Sequence, residues 1–129
     1  MSAKGSIDIQ VIVNGEEYRD KAKLWAIEQM GEKAIENSDG STEIYWWDSD
    51  ASWLENEIER LAKKLSELDV PPSAWVAYVH YEFAEGLLED GGVVNIEIRN
   101  GKIDVWEESQ IEMVPAEPWI EFNLPIKEG

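Results

Sequence analysis

Asn100-Gly101, set between two runs of alternating apolar and polar residues, constrains this chain more than any other feature. Both central residues of a two-residue type I′ turn take positive φ, and Asn-Gly tolerates this at little steric cost. A turn at that point sets the register of a hairpin, with Arg99 opposite Lys102, Ile98 opposite Ile103, Ile96 opposite Val105 and Val94 opposite Glu107. Side chains alternate along a strand. Ile96, Ile98, Ile103 and Val105 therefore share one face, and Asn95, Glu97, Asp104 and Trp106 share the other. The run Ala74–Phe83 that precedes the hairpin is apolar on both faces except at His80 and Glu82, the pattern of an interior strand.

The rest of the chain supplies partners for this core. Ile7, Ile9, Val11 and Val13 alternate with Asp8 and Gln10, which predicts a first strand over residues 6–13. After Asn14-Gly15, acids at Glu16 and Glu17 open a helical stretch predicted over residues 16–36, with Tyr18, Ala22 and Trp25 on one stripe and Gly31 as a break or an end. Residues 37–41 read as a turn, and residues 42–47 as a short aromatic strand. Leu54, Ile58, Leu61, Leu65 and Leu68 recur at helical spacing. The cap of that helix is expected at Ser52, in a capping box with Glu55, or at Ser49 or Asp50. Pro71-Pro72 ends the helix. Ile111, Met113 and Val114 extend the hairpin or begin a bend, Pro115 and Pro118 interrupt pairing, and residues 120–124 alternate as a last edge strand. The order β-α-β-α-β-β-β-(β) predicts an α+β two-layer sandwich: one mostly antiparallel sheet of five or six strands with two helices on one face. The other face would carry Tyr78, His80, Asn95, Glu97, Asp104 and Trp106.

At 129 residues the chain is long enough for one domain with its own core, spanning 1–129. No apolar run is long enough to cross a bilayer. The N-terminal residues lead into a strand pattern without an apolar leader block. There is no cysteine, which removes disulfides, thiolate nucleophiles and thiolate metal ligands and fits a reducing cytoplasm.

The net charge of −17 is the unusual quantity. Such a chain is repelled by nucleic acid and by anionic membrane and attracted to basic surfaces. The acids fall in two blocks: residues 28–59 carry ten acids against Lys33, and residues 82–129 carry twelve against Arg99, Lys102 and Lys127. Brought together by the fold, the blocks would concentrate the field on one side. Carboxylates at i and i+2 on a strand project from one face about 6.7 Å apart, twice the rise per residue. A line of them imitates the regular negative charge of a nucleic-acid backbone.

Candidate chemistry is sparse. His80, the lone histidine, shares its strand face with Tyr78 and Glu82, so a carboxylate-oriented base is conceivable. An exposed or structural histidine is the plainer reading. Asp48-Ser49-Asp50, with Glu55 and Glu57 behind it, could hold a hard divalent cation such as Mg²⁺ or Ca²⁺, yet the spacing matches no calcium loop, and helix capping explains these residues without a metal. These features would make a small hydrolase or metal-binding domain. Trp25, Trp53, Trp75 and one of Trp46 and Trp47 read as core. The other of that adjacent pair must face away and, with Trp106 and Tyr78, form an aromatic patch suited to a protein interface or a homodimer. Acidity also serves solubility alone.

In size, charge and lack of a catalytic motif, the chain resembles small acidic proteins of phages and mobile elements that block nucleic-acid-binding enzymes, among them anti-restriction and anti-CRISPR proteins. The resemblance is one of composition, and different folds share it. It implies a non-enzymatic inhibitor without cofactor or metal, acting in the cytoplasm of a bacterial host. Such a protein binds no nucleic acid itself and occupies the basic groove of a nucleic-acid-handling partner. The residues expected to meet that partner are Asp48, Asp50, Glu55, Glu59, Glu97, Asp104, Trp106, Glu107 and Glu108.

Overall fold

The computed structural model describes residues 4–83, 92–108 and 113–115, with positions 105–108 and 113–115 described by their backbone. The strands are β1 (Gly5–Val13), β2 (Ile35–Glu36), β3 (Thr42–Ala51), β4 (Trp75–Phe83), β5 (Val93–Arg99), β6 (Lys102–Glu108) and β7 (Met113–Pro115). They form a single sheet in the order β2-β3-β1-β4-β5-β6-β7, and every pairing is antiparallel. The two helices are α1 (Arg19–Trp25) and α2 (Leu54–Ser66). Their buried residues join those of one sheet face in a single core, the two-layer α+β arrangement expected.

The hairpin forms as its turn demands. Asn100 and Gly101 sit at φ 53° and 77°, and Arg99, Ile98, Ile96 and Val94 pair with Lys102, Ile103, Val105 and Glu107. Strand β4 lies between β1 and β5, which accounts for its nearly unbroken apolar run. Alternation does the rest: Ile7, Ile9, Val11 and Val13, Ala77, Val79 and Tyr81, and Val94, Ile96 and Ile98 are buried against the helices. From the helix layer, Trp25, Leu54, Ile58, Leu61 and Leu65 pack onto them.

Three boundaries differ from the sequence reading. The first helical stretch stops at Met30, not residue 36: a 3-10 turn (Glu16–Tyr18) leads into α1, and a π turn (Ala26–Met30) follows it. Gly31 closes it at φ 67°, its N–H bonded to Ala26 O, because glycine enters the left-handed region without a Cβ clash. The residues beyond are free to form β2, which pairs Ile35 with Glu43 and Glu36 with Thr42. The second difference is that β3 continues to Ala51, so Asp48 and Asp50 lie on a strand and not at a helix N-terminus. Trp53 is the cap residue of α2, and no side chain caps the helix. The expected Ser52–Glu55 capping box is replaced by Glu57, whose Oε1 accepts the Ser52 N–H at 3.2 Å and Arg60 Nη1 at 2.8 Å. Its side chain is only 4% exposed, so this pairing offsets the desolvation of a buried carboxylate. From the other side Tyr81 donates to Ser52 O at 2.6 Å. Burial of Tyr81, and then the charges of Glu57 and Glu55, push its phenol up to about 12, so it stays a donor. The third difference is Met113–Pro115, a separate strand with Pro115 opposite Trp106. The edge strand read at residues 120–124 lies outside the described residues.

Candidate functional site

The helix-free face of the sheet is where the chain places its unexplained polar and aromatic residues. Registers on successive strands line them up in rows that cross the sheet. One row runs Tyr45, Gln10, Tyr78, Glu97, Asp104. The next runs Trp47, Asp8, His80, Asn95, with Trp106 as the register partner of Asn95. At about 4.8 Å between strands, five strands span roughly 19 Å, and residues two apart along a strand lie about 6.7 Å apart. A groove of about 610 Å³ runs over Asp8, Gln10, Tyr45, Trp47, Tyr78, His80, Asn95 and Glu97.

Two aromatic side chains stand up from the groove. Trp47 is 69% exposed and Tyr45 47%, because they alternate with Ile44 and Trp46, which turn to the core. Tyr45 is braced at both sides: Gln10 Nε2 donates to its hydroxyl at 2.8 Å, and the hydroxyl donates to Glu43 Oε2 at 2.6 Å. That bond to Glu43 raises the Tyr45 phenol above its ordinary value. Farther along the row, Arg99 donates from Nε at 3.2 Å and Nη2 at 2.9 Å to Glu97 Oε1, and from Nη2 at 3.1 Å to Tyr78 Oη.

His80 occupies the centre. Its Nδ1 lies 2.8 Å from Asn95 Oδ1 and its Nε2 3.5 Å from Glu82 Oε1. Burial by itself would lower its pKa. The bonds to Asn95 and Glu82 and the charges of Glu82 and Asp8 outweigh burial and raise it. With both ring nitrogens turned to acceptors, the geometry favours a doubly protonated ring. No serine or threonine lines the groove among the described residues, and no three of His, Asp and Glu converge there as metal ligands would.

The residues expected to meet a partner divide. Glu97 and Asp104 lie on the groove face. Glu107 and Glu108 lie on the same strand, opposite Val94 and Met113; their side chains, like that of Trp106, are outside the described residues. Asp48 pairs with buried Ile7 and lines a different cleft, of about 100 Å³, with Glu57, Arg60 and Lys64 of α2. Its Oδ1 accepts the Asp50 N–H at 2.8 Å, closing an irregular strand end. Glu55 and Glu59 sit on the exposed side of α2, Glu59 within 3.9 Å of Lys63. From the first acidic block Glu43 reaches the groove face, beside Tyr45, while exposed Asp50 sits at the irregular end of β3.

Reading by acidic block missed Asp8, Gln10, Glu43 and Tyr45. The alternation of Asp8 and Gln10 with Ile7 and Ile9 was signal enough, since residues opposite a buried stripe must share the outer face. Of the tryptophans, Trp25 and Trp75 are core as expected. Trp53 is not: it is 42% exposed, with Lys4 Nζ 5.1 Å from its ring centroid. Trp46 is the half-buried member of the adjacent pair, under Lys64 at 5.7 Å.

Among the described residues no helix is long and apolar enough to cross a membrane. No protein family, curated protein or solved structure matches this chain.

Proposed function

We propose that this chain is a non-enzymatic binding protein that turns the acidic, aromatic face of its sheet toward a basic, nucleic-acid-handling partner and occupies the surface that nucleic acid would use. The observation that carries this reading is the helix-free face itself. Asp8, Glu43, Glu82, Glu97 and Asp104 are spread over it at strand spacing, against the cations Arg99 and Lys102, and exposed Trp47 and Tyr45 stand among them. Exposed aromatics ringed by charge are the usual anchors of a protein interface. The remaining charge of the −17 total lends long-range attraction to a basic surface and repels nucleic acid and anionic lipid. Host cytoplasm and inhibition of a defence enzyme follow as parts of the same proposal, from the compositional resemblance.

The test is a pull-down from nuclease-treated bacterial lysate, eluted by rising salt and, in parallel, by duplex DNA. The expected outcome is one basic protein released by both, and lost from a D8K/E97K/D104K variant whose circular dichroism is unchanged. Retention of the partner by that variant, or a partner indifferent to DNA, refutes the proposal. A second reading, a homodimer through the same face, rests on the exposure of Trp47 and Tyr45. Apposing two copies would bring like carboxylates together, which opposes it, and sedimentation over a concentration series separates the two.

A further inference from the structure

The helix-free face already holds one guanidinium. Arg99 lies against the Glu97 carboxylate and the Tyr78 hydroxyl, with donor distances of 2.9 and 3.1 Å from Nη2. A carboxylate and a tyrosine hydroxyl on neighbouring strands thus hold an arginine supplied by the chain itself. One row away a carboxylate again stands beside an exposed aromatic side chain. Asp8 and Trp47 are direct register partners on β1 and β3, which puts their Cβ atoms about 5 Å apart. The Trp47 ring is 69% exposed, and Asp8 is exposed and makes no hydrogen bond or ion pair among the described residues. No lysine or arginine among the described residues pairs with Asp8 or stacks on Trp47; the register partner of Asp8 on β4 is His80, whose ring nitrogens face Asn95 and Glu82.

Resting on the reading of the face as a surface for a basic partner, we infer that Asp8 and Trp47 receive an arginine side chain of that partner. Its guanidinium would stack on the indole and donate to the Asp8 carboxylate. Charge complementarity selects a cation: the face is net acidic, and the nearest titratable group, His80, is itself drawn on by Asp8 and Glu82. Geometry selects arginine over lysine. A planar guanidinium stacks on indole while its fork of N–H groups meets a carboxylate at the ring edge, whereas an ammonium is a more strongly hydrated point charge. Gln10, Tyr45 and Asn95 complete the rim with neutral donors and acceptors.

The experiment is an NMR titration of the whole chain with three short glycine-rich peptides that differ at one position, arginine, lysine or citrulline. The indole Nε1–H of Trp47 is assigned from W47F. The expected result is a shift of that indole and of the Asp8 amide with the arginine peptide, weaker binding of the lysine peptide, and none of citrulline. D8N and W47A should each weaken arginine binding by ~5-fold, the scale of an exposed cation–π or ion-pair contact. D20N, which removes one exposed charge from α1 in the helix layer, should leave it unchanged. Equal weakening by D20N and D8N would show a general field and no seat, and overturn the inference. So would an unshifted Trp47 indole, or an indole that moves with protein concentration alone, which would assign the face to a second copy. Binding of the arginine peptide by a protein that captures no DNA-competed partner would leave the seat standing and sink the nucleic-acid reading instead.

Discussion

The two faces of this sheet are built from the same strands, yet they obey different rules. The covered face is apolar almost without exception, and α1 and α2 seal it into one core. The helix-free face mixes carboxylates, aromatics, one histidine and one ion-paired arginine; Tyr45, His80 and Arg99 are held by neighbours across the strands, whereas Asp8 and Trp47 are not. Stability resides on the first face because burial of apolar area drives folding. On the second face most groups remain in contact with water, so substitution there should alter binding far more than folding.

The largest effect expected from breaking this division is in the core. Ile58→Ala, at a fully buried α2 position, should cost about 2–5 kcal/mol by chemical denaturation, from lost transfer energy and the cavity left behind. Gly5→Ala should come next, at about 1–3 kcal/mol. A Cβ at Gly5 would run into the Glu82 carbonyl oxygen and the Tyr81 ring, backbone and buried core that have little room to shift. A destabilisation below half a kilocalorie there would mean that β1 and β4 can part at their ends.

Gly101→Ala separates conformational cost from crowding. No heavy atom lies within 4 Å of the added Cβ, and φ is +77°. The expected loss of about 1 kcal/mol is therefore backbone strain alone.

The pH dependence of His80 is smaller, and its sign is fixed by its surroundings. Its folded-state pKa is raised above the ordinary 6.5, so the folded state favours the protonated ring. The stabilisation is fully present below the unfolded value and is lost as pH rises through the folded one. A ring-proton titration by NMR should give a midpoint above the ordinary value, and Glu82→Gln should lower it. Protonation also adds a cation to the acidic face, so arginine-peptide binding should weaken as pH falls through that midpoint. A midpoint unchanged in Glu82→Gln would show that the carboxylate has no hold on the ring.

The smallest expected effect on folding sharpens the comparison most. Trp47→Ala should change stability by no more than about 0.5 kcal/mol, as exposed positions do, while removing partner capture. Equal losses of stability from Trp47→Ala and Ile58→Ala would erase the distinction between the faces.

Local chemistry was enough for much of this architecture. Asn100-Gly101 determined the hairpin and its register because positive φ at two successive residues admits few side chains. Alternation determined which residues of β1, β4 and β5 turn inward, and the leucine stripe determined α2. The sequence alone could not place the carboxylates relative to one another. Asp48 and Asp50 look equally suited to a strand end and a helix cap. Pairing with β1, the long-range bond of Tyr81 to Ser52 and the local one of Glu57 to Ser52 decided for the strand. Nor does Asp8 announce itself beside Trp47 when 38 other residues separate them in the chain. Their meeting depends on strand order, which is set by non-local packing and carries no signature in either segment. The amount of acid was legible in composition; the face it forms, and the open seat between Asp8 and Trp47, exist only in the folded sheet.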